Sequence, residues 1–121
     1  MTTLAMSDTM PAAVIDEAAL LERFEGDREL LREVVGLFFE DCPRRLADIH
    51  NALASGNREA LERAAHSIKG SVGNFAAPAA ADAALQLEMI GRSGDLSCAK
   101  QACAVLEQEI DRLKRALAAF T

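Results

Sequence analysis

Apolar residues recur every three or four positions along most of the chain, which is the spacing of amphipathic helices. The longest series predicts a helix over about 28–55, with an apolar stripe of Leu31, Val34, Val35, Phe38, Cys42, Leu46, Ile49 and Leu53. The stripe keeps its phase on both sides of Pro43, so we expect a kink there and not a break. The most regular series predicts the last helix, over about 96–120, with Leu96, Ala99, Cys103, Leu106, Ile110, Leu113, Leu117 and Phe120 on one face.

Capping residues place a short helix before the long one. Asp16 predicts the start of a helix over about 17–24, and Asp27 caps the long helix. Residues 1–13 show no sustained apolar period. We therefore expect a flexible N-terminal tail over 1–13, followed by a helical domain over 14–121.

Two further helices fill the middle of the chain. The turn Ser55-Gly56-Asn57 separates the long helix from one over about 58–75, and Pro78 begins another over about 78–92. Amphipathic helices joined by such short turns must be antiparallel neighbours. The sequence thus predicts an all-α fold, namely an antiparallel up-down-up-down four-helix bundle with a short additional N-terminal helix that covers one end.

Composition supports this fold and narrows the functional classes. The chain has 121 residues, half of them hydrophobic, and it lacks Trp and Tyr, which favours helices over sheet. A net charge of −6 argues against nucleic acid as a partner. The three cysteines, Cys42, Cys98 and Cys103, include no C-x-x-C pair, so we interpret them as reduced thiols in or near the core. With no membrane-spanning run and no signal peptide, we expect a cytoplasmic protein without membrane contact. We also expect it to be a monomer.

The helix over about 58–75 carries a histidine on the side opposite its apolar stripe, which comprises Leu61, Ala64, Ala65, Ile68, Val72 and Phe75. His66 lies about 150° from the centre of that stripe and is predicted to point into solvent. Gly70 is one turn further along the same face, and Gly73 is close by. Each Gly inside a helix costs about 1 kcal/mol relative to Ala, so their presence indicates close approach by another molecule. Lys69 borders the same patch and can reach over it.

These residue types are suited to phosphoryl transfer. A neutral imidazole is a nucleophile toward phosphorus near neutral pH, and the reaction needs mainly positioning and charge stabilisation. We interpret His66 as the phosphoryl acceptor and Lys69 as the charge that balances the phosphoryl group. Gly70 leaves room for that group and for a partner's loop. Counting along the next, antiparallel helix reaches the level of His66 at Gln86 to Glu88, where the carboxylate of Glu88 would orient the imidazole; Gln86 is the alternative.

The segment Ala65-His66-Ser67-Ile68-Lys69-Gly70-Ser71 resembles the central motif of histidine-containing phosphotransfer (HPt) domains, and with the flanking helices the resemblance covers roughly residues 16–120. In that family, a Glu or Gln at the position of Glu88 hydrogen-bonds the ring nitrogen away from the reacting one. Many members have Gly at the position of Ala76. Because this chain has Ala there, the sequence does not predict the conformation in which that helix ends.

The resemblance implies a phosphorelay intermediate that exchanges a phosphoryl group with aspartates of receiver domains, in response regulators and hybrid histidine kinases. It implies no cofactor of the chain's own, because the receiver domain brings the Mg²⁺. The sequence has neither a phosphate-binding Gly-x-x-x-x-Gly-Lys-Ser/Thr loop nor a Gly-rich kinase loop. We therefore expect a carrier without kinase activity, not an enzyme.

Other interpretations stay open. A helical adaptor that is never phosphorylated would not need His66. A bundle metalloprotein could use Glu62 and His66, which are four residues apart, but both should point outward, so no metal site is predicted. We interpret His50, near the edge of its stripe, as a partly buried structural residue.

The surface around the histidine predicts a docking face. The exposed side of the 58–75 helix supplies Glu59 and Arg63 beside His66. Counted back from the turn at 56, the long helix reaches the same height near Arg44 and Arg45. We expect a shallow interface of mixed charge, whose rim charges mainly set the association rate.

Overall fold

The structure, a computed structural model, describes residues 15–120, and this part of the chain contains helices and no strand. The α-helices are α1 (Glu17–Arg23), α2 (Arg28–Ser55), α3 (Arg58–Val72), α4 (Pro78–Ser93) and α5 (Ala99–Leu117). Short 3₁₀ turns follow α3 (Gly73–Phe75), precede α5 (Leu96–Cys98) and follow it (Ala118–Phe120). The predicted tail over 1–13 lies outside the described residues, so the proposed domain boundary stays a prediction.

The predicted helix starts are confirmed by their caps. The side chains of Asp16, Asp27 and Asn57 accept hydrogen bonds from backbone N–H groups three residues later, at 3.1, 3.0 and 3.0 Å. Pro78 occupies the first turn of α4, where its missing N–H costs nothing. α2 runs through Pro43 without a break.

The helices form a bundle in which each one lies against the next. Side-chain pairs between Glu62 and Arg92 and between His66 and Glu88 show that α3 and α4 run in opposite directions. His50 on α2 meets Glu107 on α5, which closes the bundle. The all-α prediction is therefore confirmed, and these contacts agree with the antiparallel arrangement.

The short helix α1 covers one end of the bundle, as predicted. The guanidinium of Arg23 donates to the carbonyl of Gly73 at 2.7 Å, and the N–H of Asp16 meets the carbonyl of Ala76 at 3.4 Å. Both contacts fall on the turn between α3 and α4. This turn contains Ala76 in the left-handed region, at φ 51°, a conformation that glycine adopts more readily.

The core is made by the predicted stripes, with two corrections. Its fully buried large side chains are Phe75, Leu20, Leu31, Ile49, Leu61, Ile68, Leu87, Leu106, Ile110, Leu113, Leu117 and Val35. Cys98 is exposed and not near the core, because the chain forms a 3₁₀ turn there and the stripe of α5 begins only at Ala99. His50 is exposed and not partly buried, because the inward position is taken by Ile49.

The predicted last helix, over about 96–120, is helical throughout, but only Ala99–Leu117 is α-helix and both of its ends are 3₁₀ turns. Asp95 accepts a hydrogen bond from the N–H of Ser97 at 3.1 Å, which favours the tight turn before α5.

Across residues 15–120, no helix combines the length and the apolar character that crossing a bilayer requires.

Helices α3 and α4 approach each other closely at Gly91, which is buried. A Cβ atom at this position would lie 2.8 Å from the backbone nitrogen of Glu62 and 3.0 Å from the carbonyl oxygen of Arg58. Backbone atoms cannot move aside as a flexible side chain can. Gly91 is therefore the residue that allows α4 to bring its inward-facing side chains against α3.

We expect Gly91→Ala to lower the free energy of unfolding by about 1–3 kcal/mol, because the added methyl group forces the two helices apart. Gly36→Ala is the matched control, since Gly36 is also helical and a Cβ there meets nothing within 4 Å. The control should gain up to about 1 kcal/mol from its higher helix propensity. Urea unfolding measures both, and a Gly91→Ala variant as stable as the control would contradict this account.

Candidate functional site

His66 lies on the outer face of α3, and 67% of its side chain is exposed. The opposite face of α3 is buried through Leu61, Ala65, Ile68 and Val72. The exposure predicted from helical phase is therefore confirmed.

The imidazole of His66 is held by the carboxylate of Glu88 on α4. Nδ1 of His66 lies 3.0 Å from Oε2 of Glu88, whose side chain is only 5% exposed. Gln86, the alternative, is exposed and lines a groove between α4 and α5 on another side of the helix. Of the two residues considered at this level, Glu88 is the one that meets the histidine.

The contact with Glu88 determines which ring nitrogen of His66 carries the proton, and hence which one faces outward with a free lone pair. An ionised carboxylate can only accept hydrogen bonds, so Nδ1 must carry the proton in the neutral imidazole. Nε2 is then the unprotonated nitrogen, on the side of the ring away from Glu88.

Two cations share the same carboxylate. The ammonium of Lys69 lies 2.8 Å from Oε1 of Glu88, and the guanidinium of Arg92 donates to Oε2 at 3.1 Å. The pKa of Glu88 is held below its ordinary value, chiefly by the hydrogen bond from Lys69 and then by that from His66, against the opposing effect of burial. Glu88 is consequently ionised at neutral pH, which is the state that fixes the imidazole.

Arg92 and Glu62 belong to this network, although neither was predicted as part of the site. Arg92 lies one turn after Glu88 on α4 and also donates through Nε to Glu62 of α3, at 3.0 Å. The spacing of Glu88 and Arg92, four residues apart, was visible in the sequence. The bond from Arg92 to Glu62 crosses between helices, and it engages the carboxylate that the metalloprotein interpretation assigned to a pair with His66.

Gly70 has no internal reason to be glycine. It is exposed and helical, and a Cβ built there meets nothing within 4 Å. The same holds for the space around Gly73. The fold has room for a Cβ atom at either position, and the space beside the exposed Gly70, one turn from His66, is open.

Two of the charges assigned to the docking face, Arg45 and Arg63, lie around one groove, and the docking itself stays a prediction. Arg44 and Arg45 on α2 are both held by Asp41, at 2.8 and 3.0 Å. Arg45 lines an open groove between α2 and α3 together with Arg63 and Ser67, the residue after His66. The surface beside His66 is thus of mixed charge.

Comparisons with known proteins agree with this geometry. The family model of the Hpt domain matches residues 33–116. Among solved structures, the chain is similar to histidine-containing phosphotransfer protein B (HptB) from Pseudomonas aeruginosa PAO1, with 28% sequence identity and a TM-score of 0.80. The match covers 87% of this chain and 91% of that one. A search of curated protein sequences gives no match.

Glu88 should make the stability of the protein depend on pH. Because its pKa is lowered on folding, the folded state binds fewer protons than the unfolded chain in the acid range. The stabilisation from ionised Glu88 is complete above the ordinary pKa of a glutamate, and it is lost as the pH falls through the lowered value.

We expect Glu88→Gln to lower the free energy of unfolding by about 1–2 kcal/mol near neutral pH, because its cationic partners lose their counter-charge. Urea unfolding from about pH 7 to about pH 3 should show a flatter pH profile for the variant than for the wild type. Glu33→Gln, at an exposed position of α2, serves as the control. Parallel profiles for the wild type and Glu88→Gln would contradict this role for the carboxylate.

Proposed function

This chain belongs to the Hpt domain family, and on that premise we propose that it carries a phosphoryl group on Nε2 of His66 and exchanges it with aspartates of receiver domains in two-component phosphorelays. The observation that carries the proposal is the exposed imidazole whose inner nitrogen, Nδ1, is bound to a nearly buried carboxylate. This arrangement turns one nucleophilic nitrogen toward a partner.

The proposed reaction needs no proton to leave the site. The lone pair of Nε2 attacks the phosphorus of an aspartyl phosphate, the bond from phosphorus to the carboxylate oxygen breaks, and the aspartate leaves with that electron pair. The ring then carries the phosphoryl group on Nε2 and the proton on Nδ1. Its positive charge faces the carboxylate of Glu88, 3.0 Å away. The return step reverses these changes.

Lys69 and Gly70 have separate roles in this proposal. Lys69 keeps Glu88 ionised and lies 2.8 Å from it, beside the histidine, where its charge also favours the incoming phosphoryl oxygens. Gly70 leaves the space above the next turn of α3 open to a receiver's loop. The chain itself needs neither nucleotide nor metal for these steps, because the Mg²⁺ and the aspartate belong to the receiver domain. We expect it to act as a monomeric carrier in the cytoplasm.

The second histidine offers an internal comparison. His50 also meets a carboxylate on a neighbouring helix, at 2.8 Å, but through Nε2 and not Nδ1. Its Nε2 is therefore occupied by Glu107, and position 54, one turn further, is Ala where the His66 helix has Gly70. An exposed histidine beside a carboxylate is therefore not by itself a phosphoryl acceptor. His50 and His66 differ in which ring nitrogen faces outward.

We expect His66→Gln to abolish labelling when the protein is incubated with a phosphorylated receiver domain. The wild type should acquire label that is labile in acid and stable in base. Helicity and melting should change little, because the side chain is exposed. His50→Gln is the matched control and should be labelled like the wild type. Label that persists in His66→Gln would overturn the proposal, and full signalling by that variant would favour the adaptor that is never phosphorylated.

Gly70→Gln should slow phosphoryl transfer because its side chain fills the open space beside His66. The same change should stabilise the isolated domain by several tenths of a kcal/mol, since Gln is the better helix former. Gly36→Gln, equally open and helical but on α2, should stabilise without slowing transfer. Rapid-quench measurement of the transfer rate decides the matter: a Gly70→Gln variant that is more stable yet transfers at the wild-type rate refutes the close-approach explanation.

Lys69→Ala should slow phosphoryl transfer by about ten-fold or more, because the phosphoryl oxygens lose a neighbouring cation. It should also bring the pKa of Glu88 back toward its ordinary value, which NMR titration of the side-chain carboxyl can follow. Lys100→Ala, at an exposed position of α5, is the control. Receiver affinity and transfer rate that both equal those of the wild type would assign Lys69 to the solvated surface.

A further inference from the structure

A second group of side chains able to bind a ligand lies at the seam between α2 and α5, across the bundle from the seam between α3 and α4 that holds His66. It consists of His50 on α2 and of Cys103 and Glu107 on α5. Their donor atoms, an imidazole nitrogen, a thiol sulfur and a carboxylate oxygen, all lie within 4.8 Å of one another. The phosphotransfer function proposed above uses none of these residues.

We propose that His50, Cys103 and Glu107 form a binding site for a divalent transition-metal ion of the zinc type, which would tie α2 to α5. Imidazole, thiolate and carboxylate are the ligand types that Zn²⁺ prefers, and three protein ligands with a water in the fourth position make a common tetrahedral site. From the sequence we expected no metal site anywhere in this chain, and the one metal-binding pair considered there was Glu62 and His66, which lie in another part of the molecule.

The helical geometry favours this cluster. Cys103 and Glu107 are four residues apart, so they stand on one face of α5, one turn from each other. His50 faces them from α2, with its Nε2 2.8 Å from Oε2 of Glu107. In a tetrahedral zinc site with bonds of about 2.0–2.3 Å, neighbouring donors are about 3.5 Å apart. Binding would therefore part the nitrogen from the oxygen and bring the sulfur closer to both.

The three side chains of the cluster differ in how deeply they are buried. Cys103 is buried, Glu107 is half-buried and His50 is exposed. An ion would therefore approach from the side of the two outer ligands, His50 and Glu107. The buried thiolate would be shielded from water once the ion is bound, as in structural zinc sites.

Protonation of the cysteine gives the site a measurable signature. A cysteine thiol is protonated at neutral pH when no metal binds it. Binding would form the metal–sulfur bond and release the thiol proton to the buffer. Protein-bound thiolate and released proton can be measured independently of phosphoryl transfer.

The test is titration of the 121-residue chain with Co²⁺, which takes the same ligand types and reports a thiolate ligand through a sulfur-to-metal charge-transfer band. We expect one equivalent to give that band together with the visible bands of a tetrahedral ion, and Zn²⁺ to bleach them. Calorimetry of Zn²⁺ binding in buffers of different ionisation enthalpy should show release of about one proton. Zn²⁺ should also raise the melting temperature by several degrees.

Four variants locate the site. His50→Gln and Cys103→Ser should each abolish the charge-transfer band, and His50→Gln keeps the core intact because the side chain is exposed. Cys98→Ser, which removes the exposed thiol, and His66→Gln, which removes the other histidine, should retain it. Absence of binding in the wild type overturns the proposal, as does a band that survives His50→Gln or that disappears in Cys98→Ser or His66→Gln. None of these outcomes depends on whether His66 accepts a phosphoryl group.

Discussion

The candidate site depends on one buried carboxylate. Glu88 is the only charged residue that is buried among residues 15–120, and burial of an ion is costly unless it is paired. Its partners come from both helices of the seam: His66 and Lys69 from α3, and Arg92 from α4 itself. The contacts that pair this charge therefore set the orientation of the imidazole and place a cation beside it. They also keep the carboxyl ionised at neutral pH.

The position of Glu88 in turn depends on how closely α3 and α4 approach. Gly91, three residues later on α4, lies against the backbone of Arg58 and Glu62, and any side chain there would separate the helices. The buried alanines Ala80 and Ala84 lie on the same face of α4 as Gly91 by helical phase and extend its small-residue surface. The buried charge and the close contact support each other, because a wider gap would admit water to the carboxylate and weaken its hold on His66.

Two histidines of this protein show how little separates one chemical role from another. Both are exposed and both meet a glutamate of the neighbouring helix, His66 through Nδ1 and His50 through Nε2. The first arrangement leaves the outer nitrogen available to a partner, with Lys69 bound to the same glutamate and Gly70 exposed one turn further along α3. In the second, the outer nitrogen is held beside Glu107 and the thiol of Cys103, an arrangement suited to sharing a metal ion.

Local sequence patterns determined the helices, their caps and the exposed face of α3, because these features depend on periods of three to four residues and on side chains that bond within one turn. The same reasoning failed at the 3₁₀ turn around Cys98, where the chain leaves regular helix, and at His50, which points outward because Ile49 takes the inward position.

Counting between turns brought Glu88 to the level of His66, but only packing of α3 on α4 decided that Glu88 and not Gln86 meets the ring. The bond from Arg92 to Glu62, the close contact at Gly91 and the grouping of His50 with Cys103 and Glu107 join residues far apart in the chain. They were decided by the tertiary structure alone, because a single sequence fixes which face a residue occupies and not which neighbour that face will meet.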